Sequence, residues 1–175
     1  MKHVFNRIVM FTLVGFGCLM PQMAEAQVVP FHTSGENAAF VPSTWEYSGG
    51  GTGTHVGRNF NMGLIEPTGG TFISGLTWST AEEHVIVAAD GSTISLDGEG
   101  VVYFVPLDAT FTTFTAEWTA DFEVVGGTGR FAKVGPGSGP IRVVAINEPF
   151  ALTDEVWEFS WTLDGTIDLG RKVKK

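Results

Sequence analysis

The segment Thr54-His55-Val56-Gly57-Arg58-Asn59-Phe60-Asn61-Met62 gathers the side chains best suited to holding a polar ligand group: an imidazole, a guanidinium and two carboxamides. Read as a strand, it sends successive side chains to opposite faces. Val56, Phe60 and Met62 then share a parity with Arg58, while His55, Gly57, Asn59 and Asn61 share the other. Either a charge or a polar cluster must sit on the buried face. A buried guanidinium needs an acceptor, supplied by the protein or by an anionic ligand. The expectation is that Arg58, or His55 with Asn59, is the polar anchor of an otherwise apolar pocket in the interior. The competing reading returns Arg58 to solvent through a bulge after Gly57, or pairs it with one of the many carboxylates.

The other chemistry-bearing residues have simpler readings. Trp118 and Trp161, with Phe122, Trp157 and Phe159, either line a ligand cavity or pack as an ordinary aromatic core. Glu82-Glu83-His84 sets carboxylates beside an imidazole, but neighbouring strand residues point to opposite faces, so a surface turn is expected there. Gly126-Gly127-Thr128-Gly129-Arg130 has the glycines of a phosphate loop without the helix that such a loop opens. It reads instead as a structural, glycine-shaped hairpin with Arg130 near its exit. No His-x-His, His-Glu-x-x-His, EF-hand or Gly-x-Ser-x-Gly pattern occurs. No metal, cofactor or serine nucleophile is therefore expected.

These side chains need strands to position them, and the chain is rich in strand signals. Phe114, Ala116, Trp118, Ala120, Phe122 and Val124 alternate with Thr115, Glu117, Thr119, Asp121 and Glu123. Trp157, Phe159, Trp161, Leu163, Ile167 and Leu169 do the same against polar neighbours, with a bend anticipated at Gly165. Shorter candidates are Phe40–Tyr47, Thr54–Met62, Thr71–Ser79, Glu83–Ala89, Ser92–Phe104 and Gly139–Asn147. Asp90-Gly91 reads as a tight hairpin turn, and Gly69-Gly70 and Gly126-Gly127 permit positive φ. Eight strands with short connections predict an all-β fold, an eight-stranded antiparallel up-and-down barrel, with a β-sandwich as the alternative.

The termini suggest an address. Lys2 and Arg7 precede the apolar stretch Ile8–Met20, and Ala24-Glu25-Ala26 fits a signal peptidase, so residues 1–26 are expected to be a leader cleaved after Ala26. The apolar stretch is too short for a membrane span, which takes about 20 residues. Cys18, the sole cysteine, lies within it and lacks a lipobox context. Residues 27–175 then form one secreted or periplasmic domain, with a flexible N-terminal segment at about 27–40 that includes His32, and a basic tail at 171–175. The whole chain carries a net charge of −9, which opposes nucleic acid and anionic membranes as partners.

Val124-Val125-Gly126-Gly127-Thr128-Gly129-Arg130-Phe131-Ala132-Lys133-Val134-Gly135 resembles a loop of the allene oxide cyclase and dirigent barrel superfamily. Thr54-His55-Val56-Gly57-Arg58 and Leu163-Asp164-Gly165-Thr166-Ile167 are similar to segments of its secreted bacterial members. The resemblance implies an eight-stranded barrel with an apolar lumen, often trimeric in the plant members, which cyclise an epoxide or orient radical coupling. It leaves a homo-oligomer open here, and the acidic catalytic groups of those enzymes map onto no particular position. The leading expectation is a non-catalytic barrel that binds a small apolar or amphipathic ligand or serves a structural role in the envelope. A cofactor-free isomerase or cyclase is the alternative.

Overall fold

Alternating polarity makes each strand one-sided, and a one-sided sheet must bury its apolar face and deal with its edges. Both needs are met here by closure. The computed structural model describes residues 27–68, 76–135 and 138–170. Its strands are β1 (Val28–Val41), β2 (Glu46–Gly53), β3 (Gly57–Pro67), β4 (Thr77–Ala88), β5 (Thr93–Pro106), β6 (Phe114–Gly127), β7 (Ile141–Asn147) and β8 (Trp157–Asp168). Each pairs antiparallel with the next, and β8 returns to β1, giving a closed eight-stranded barrel in chain order. The sandwich alternative is excluded. Among the described residues the only helix is a single 3-10 turn at Gly129–Phe131, and no helix is long and apolar enough to cross a membrane.

The lumen is packed. From β6 come Phe114, Trp118 and Phe122, and from β8 Trp157, Phe159, Trp161, Leu163 and Ile167, all buried, while Glu117, Asp121 and Glu158 face outward. Trp118 and Phe159 stack with 9° between their planes. At the end of the barrel carrying the β1–β2, β5–β6 and β7–β8 loops, Phe40, Phe104, Phe150 and Trp157 close the interior, with Phe150 and Trp157 stacked at 4.2 Å. At the other end Val56, Phe131, Ile141 and Ile167 do so.

Several elements differ from the expectation. The supposed flexible segment at 27–40 is β1, where Phe31, Thr33, Ala38 and Phe40 turn inward; His32 faces out and pairs with Asp164 of β8 at 2.6 Å. Phe40–Tyr47 is not a strand but spans the turn between β1 and β2, with Trp45 at a φ of 61°. A glycine-rich run, Gly49-Gly50-Gly51, belongs to β2. Glu83–Ala89 is joined by its upstream neighbours into the single strand β4, and the Thr71–Ser79 candidate begins outside the described residues. Asp90-Gly91 does form the β4–β5 turn, with Gly91 at a φ of 80°. β8 runs unbroken through Gly165. The leader at 1–26 with Cys18, the Gly69-Gly70 turn and the tail at 171–175 lie outside the described residues.

Candidate functional site

The parity conflict in the Thr54–Met62 segment resolves toward the polar cluster. Asn59 and Asn61 of β3 are buried, and Phe60 and Met62 face outward at 45% and 40% exposure. Arg58 is therefore outside, not in the lumen. The reason lies on the neighbouring strand: on β4, Glu82 and His84 are two residues apart and share a face, and that face is the inner one. The surface-turn reading of Glu82-Glu83-His84 is thus corrected, since only Glu83 points to solvent.

Tyr47, Gly63 and His84 lie in one cross-strand row on β2, β3 and β4. A Cβ on Gly63 would come within 2.7 Å of the Tyr47 hydroxyl, so glycine is what lets the phenol reach across the intervening strand to His84. The tautomer follows from the partners. His84 Nε2 lies 3.0 Å from Asn61 Oδ1, which can only accept, so Nε2 carries the proton and Nδ1 accepts from the Tyr47 hydroxyl. Asn61 Nδ2 donates to Asn59 Oδ1 at 2.5 Å, Asn59 Nδ2 donates to Thr33 Oγ1 at 3.0 Å, and Thr33 Oγ1 donates to the Thr52 carbonyl at 3.2 Å. Each group in this sequence donates to the next, and the series ends on a backbone carbonyl of β2.

Burial sets the charges. It pushes the His84 imidazole down to about 3, so the ring is neutral. Burial raises the Glu82 carboxyl to about 7, offset in part by the Thr80 hydroxyl at 2.8 Å. Burial, and then the nearby Glu82, raise the Tyr47 phenol. A glycine on β5 makes room for the carboxyl: a Cβ on Gly100 would lie 2.5 Å from Glu82 Oε1. Beside this group, among Trp118, Phe122, Phe159 and Trp161, is an internal cavity of about 30 Å³. That volume suits one or two waters and no acyl chain.

A much larger space lies on the outside of the wall. The β1–β2 ladder pairs Ser34 with Thr52 and resumes only at Ala39 with Ser48. Between them four residues of β1 (Gly35–Ala38) face three of β2 (Gly49–Gly51), a bulge in which Asn37 takes a φ of 54°. Glycines at Gly35 and Gly51 let the two backbones approach closely: a Cβ on Gly35 would lie 2.3 Å from the Gly50 carbonyl oxygen, and one on Gly51 2.5 Å from that of Ser34. The same absence of side chains seats Trp161 against the seam from within: a Cβ on Gly35 would lie 2.8 Å from the indole Nε1, and one on Gly51 2.8 Å from Cζ2. Outside this seam runs an open groove of about 790 Å³. One wall carries Arg58 and Thr52, the other Val144, Ile146 and Thr162.

Of the residues singled out in the sequence, Arg58 lines this groove from outside, Asn59 and Trp161 border it from the inner face of the wall, Trp118 stays in the lumen, and His55 joins neither space. His55 sits in the β2–β3 turn at a φ of 62° and donates from Nε2 to the Pro30 carbonyl at 3.2 Å. Asn59 has both amide hydrogens engaged, by Thr33 and by the Gly57 carbonyl, so it offers a ligand little. Tyr47 and Gly63 gave no warning in the sequence, and Glu82 stood out there only as part of an expected surface turn. Gly126 and Gly127 remain within β6, and Gly129, at a φ of 57°, makes the turn. Arg130 lies at the start of the β6–β7 connection and not at its exit, where it meets Asp90 at 3.4 Å, donates to the Val56 carbonyl and covers the Phe131 ring. That loop ties three turns together at one barrel end. Among the described residues no group of three His, Cys, Asp or Glu side chains is placed to hold a metal ion. No family model matches this chain, and no curated protein or solved structure is significantly similar to it.

Proposed function

We propose that this protein is an exported, non-catalytic barrel that binds a small amphipathic ligand on its wall, in the groove beside the β1–β2 bulge. The carrying observation is the groove's lining: the lumen keeps about 30 Å³, and of two outer hollows of about 790 and about 890 Å³ this one sets a cation, Arg58, beside apolar side chains, while the other is lined by carboxylates. Ligand sites of drug-like size take roughly 300–1,000 Å³. The groove also has the two-sided chemistry an amphiphile needs, with Arg58 on one wall and the exposed Ile146 with Val144 on the other. The leader-like first 26 residues support export.

The test is a series of thermal melts with and without medium-chain amphiphiles. A ligand at about 100 times its Kd stabilises the native state by roughly 2.7 kcal/mol. Ile146→Asp should leave the unliganded melt unchanged, because the residue is half exposed, and abolish the ligand-induced rise. An unchanged rise in that variant rejects the groove as the site.

A second reading, a cofactor-free isomerase or cyclase like the superfamily it resembles, is favoured by the Glu82 carboxyl, poised near neutrality beside Tyr47 in the lumen. It ranks below the first because the space beside that carboxyl admits no organic substrate.

A further inference from the structure

The outward positions of β3 are, in order, Arg58, Phe60, Met62, Leu64 and Glu66: a cation, three apolar groups and an anion. A single exposed apolar residue is ordinary on a protein surface, but a contiguous set marks a contact. Here Val87 and Val85, the β4 neighbours of Phe60 and Met62, widen the apolar row and are themselves only half-buried. On the β2 side the neighbours are Gly50 and Ser48, so the row stands above that strand. A Cβ on Gly50 would meet no atom within 4 Å.

The two ends of the row are unmatched within one copy. Neither Arg58 nor Glu66 has an ion-pair partner among the described residues. Eight positions part them, about 27 Å along an extended strand, so they cannot meet each other. Glu46 of β2 and Glu83 of β4 flank Leu64, whereas Arg58 lies beside Thr52. One end is acidic and the other basic.

Such a row is complementary to its own reverse. We propose that a second copy of this chain covers it, the two barrels being related by a two-fold axis that crosses β3 at Met62. The axis reverses the strand, so Met62 meets Met62, Phe60 meets Leu64, and Arg58 of each copy meets Glu66 of the other. The contact is isologous, with an apolar centre and a charged rim. Stacking the two strands in the same direction would instead set Arg58 on Arg58 and Glu66 on Glu66, which like charges oppose. Barrel walls are convex, so two of them touch along a central strand and its neighbours, here β3 with β2 and β4. Each copy is acidic overall, but at physiological salt charges are screened over about 8 Å and the pairs at the rim govern. Arg58 also borders the groove, and its five donors can serve a ligand and a carboxylate together.

Sedimentation equilibrium of the purified protein at physiological salt, with no amphiphile present, tests this. The parent should form dimers at concentrations up to about 100 μM. Met62→Asp sets two carboxylates on the axis and should raise the dimer Kd at least tenfold, while its melt at low concentration stays parental because the residue is exposed. Arg58→Glu and Glu66→Arg should each weaken the dimer, since every rim contact then opposes like charges. An equal mixture of these two single variants should recover the parental association, because in the mixed pair both rim contacts again join opposite charges. A variant that is merely destabilised cannot give that recovery. A parent that stays monomeric at that concentration, an oligomer that persists in Met62→Asp, or a mixture that associates no better than either variant alone overturns the proposal.

Discussion

The Tyr47 hydroxyl meets the His84 imidazole across Gly63, a residue of the strand that separates them. The phenol gives its proton to Nδ1, and the ring passes the same polarity on to Asn61 through Nε2. His84 should therefore be the neutral Nε2–H tautomer from about pH 4 to 8. Nitrogen-15 shifts of the ring check this, and a ring that titrates near its unperturbed value of about 6.5 would show the lumen to be wet.

Breaking the row at its centre should be expensive. Asn61→Ala leaves the His84 N–H and an Asn59 oxygen without partners in a buried setting, and each such orphan costs about 1–3 kcal/mol. Denaturant unfolding should show a loss of roughly 2–4 kcal/mol, well beyond that of an exposed substitution such as Arg58→Met, which should stay within about 0.5 kcal/mol.

Two opposed titrations shape the dependence of stability on pH. Glu82 is raised from 4.5 to about 7 in the fold, so the native state holds the extra proton between those values and loses stability as pH rises through them. His84 is lowered from 6.5 to about 3, so the unfolded chain holds the extra proton there and the native state loses stability as pH falls. Between about pH 4.5 and 6.5 the slopes cancel, and below that window the histidine alone governs. Glu82→Gln removes one slope: its stability should climb by about 2–3 kcal/mol from pH 4.5 to 6.5, where the parent is flat. Chemical denaturation at a series of pH values distinguishes the two profiles.

The aromatic stack predicts a conventional core penalty. Trp118→Ala removes a ring packed against Phe159 and Phe40 and should cost about 3–5 kcal/mol, close to the whole stability of a small domain. A near-parental melting temperature would mean that the lumen can refill the space.

At the opposite end, Gly129→Ala should cost about 1–3 kcal/mol. Its φ of 57° disfavours any side chain, and the Ser92 hydroxyl that receives the Arg130 amide lies against it. Ligand affinity in the groove should not change, which separates this loop's structural part from recognition.

The barrel was legible wherever apolar and polar residues alternate, as in β6 and β8. It was illegible where the inner face is itself polar. Asn59, Asn61, Glu82 and His84 invert the usual assignment of faces, because they satisfy one another across strands, and partners on different strands leave no trace along a single one. β1 and β2 escaped for another reason: their Gly, Ser and Thr resemble loop composition, and only the pairing of β1 with β8 shows them to be wall. Arg58 was expected at the lumen and lies outside it, because Asn59 and Asn61 take the inner face of β3, and the glycines that seat Trp161 against β1 and β2 have no periodicity to read.

The interrupted seam also bears on how the ring comes to exist. β1 is paired along most of its length to β8 and only near the ends of its contact to β2. The first strand made therefore finds its principal partner in the last. Closure must wait for the complete chain, with almost the largest possible loop to bring together, which is the circumstance that slows folding of β topologies.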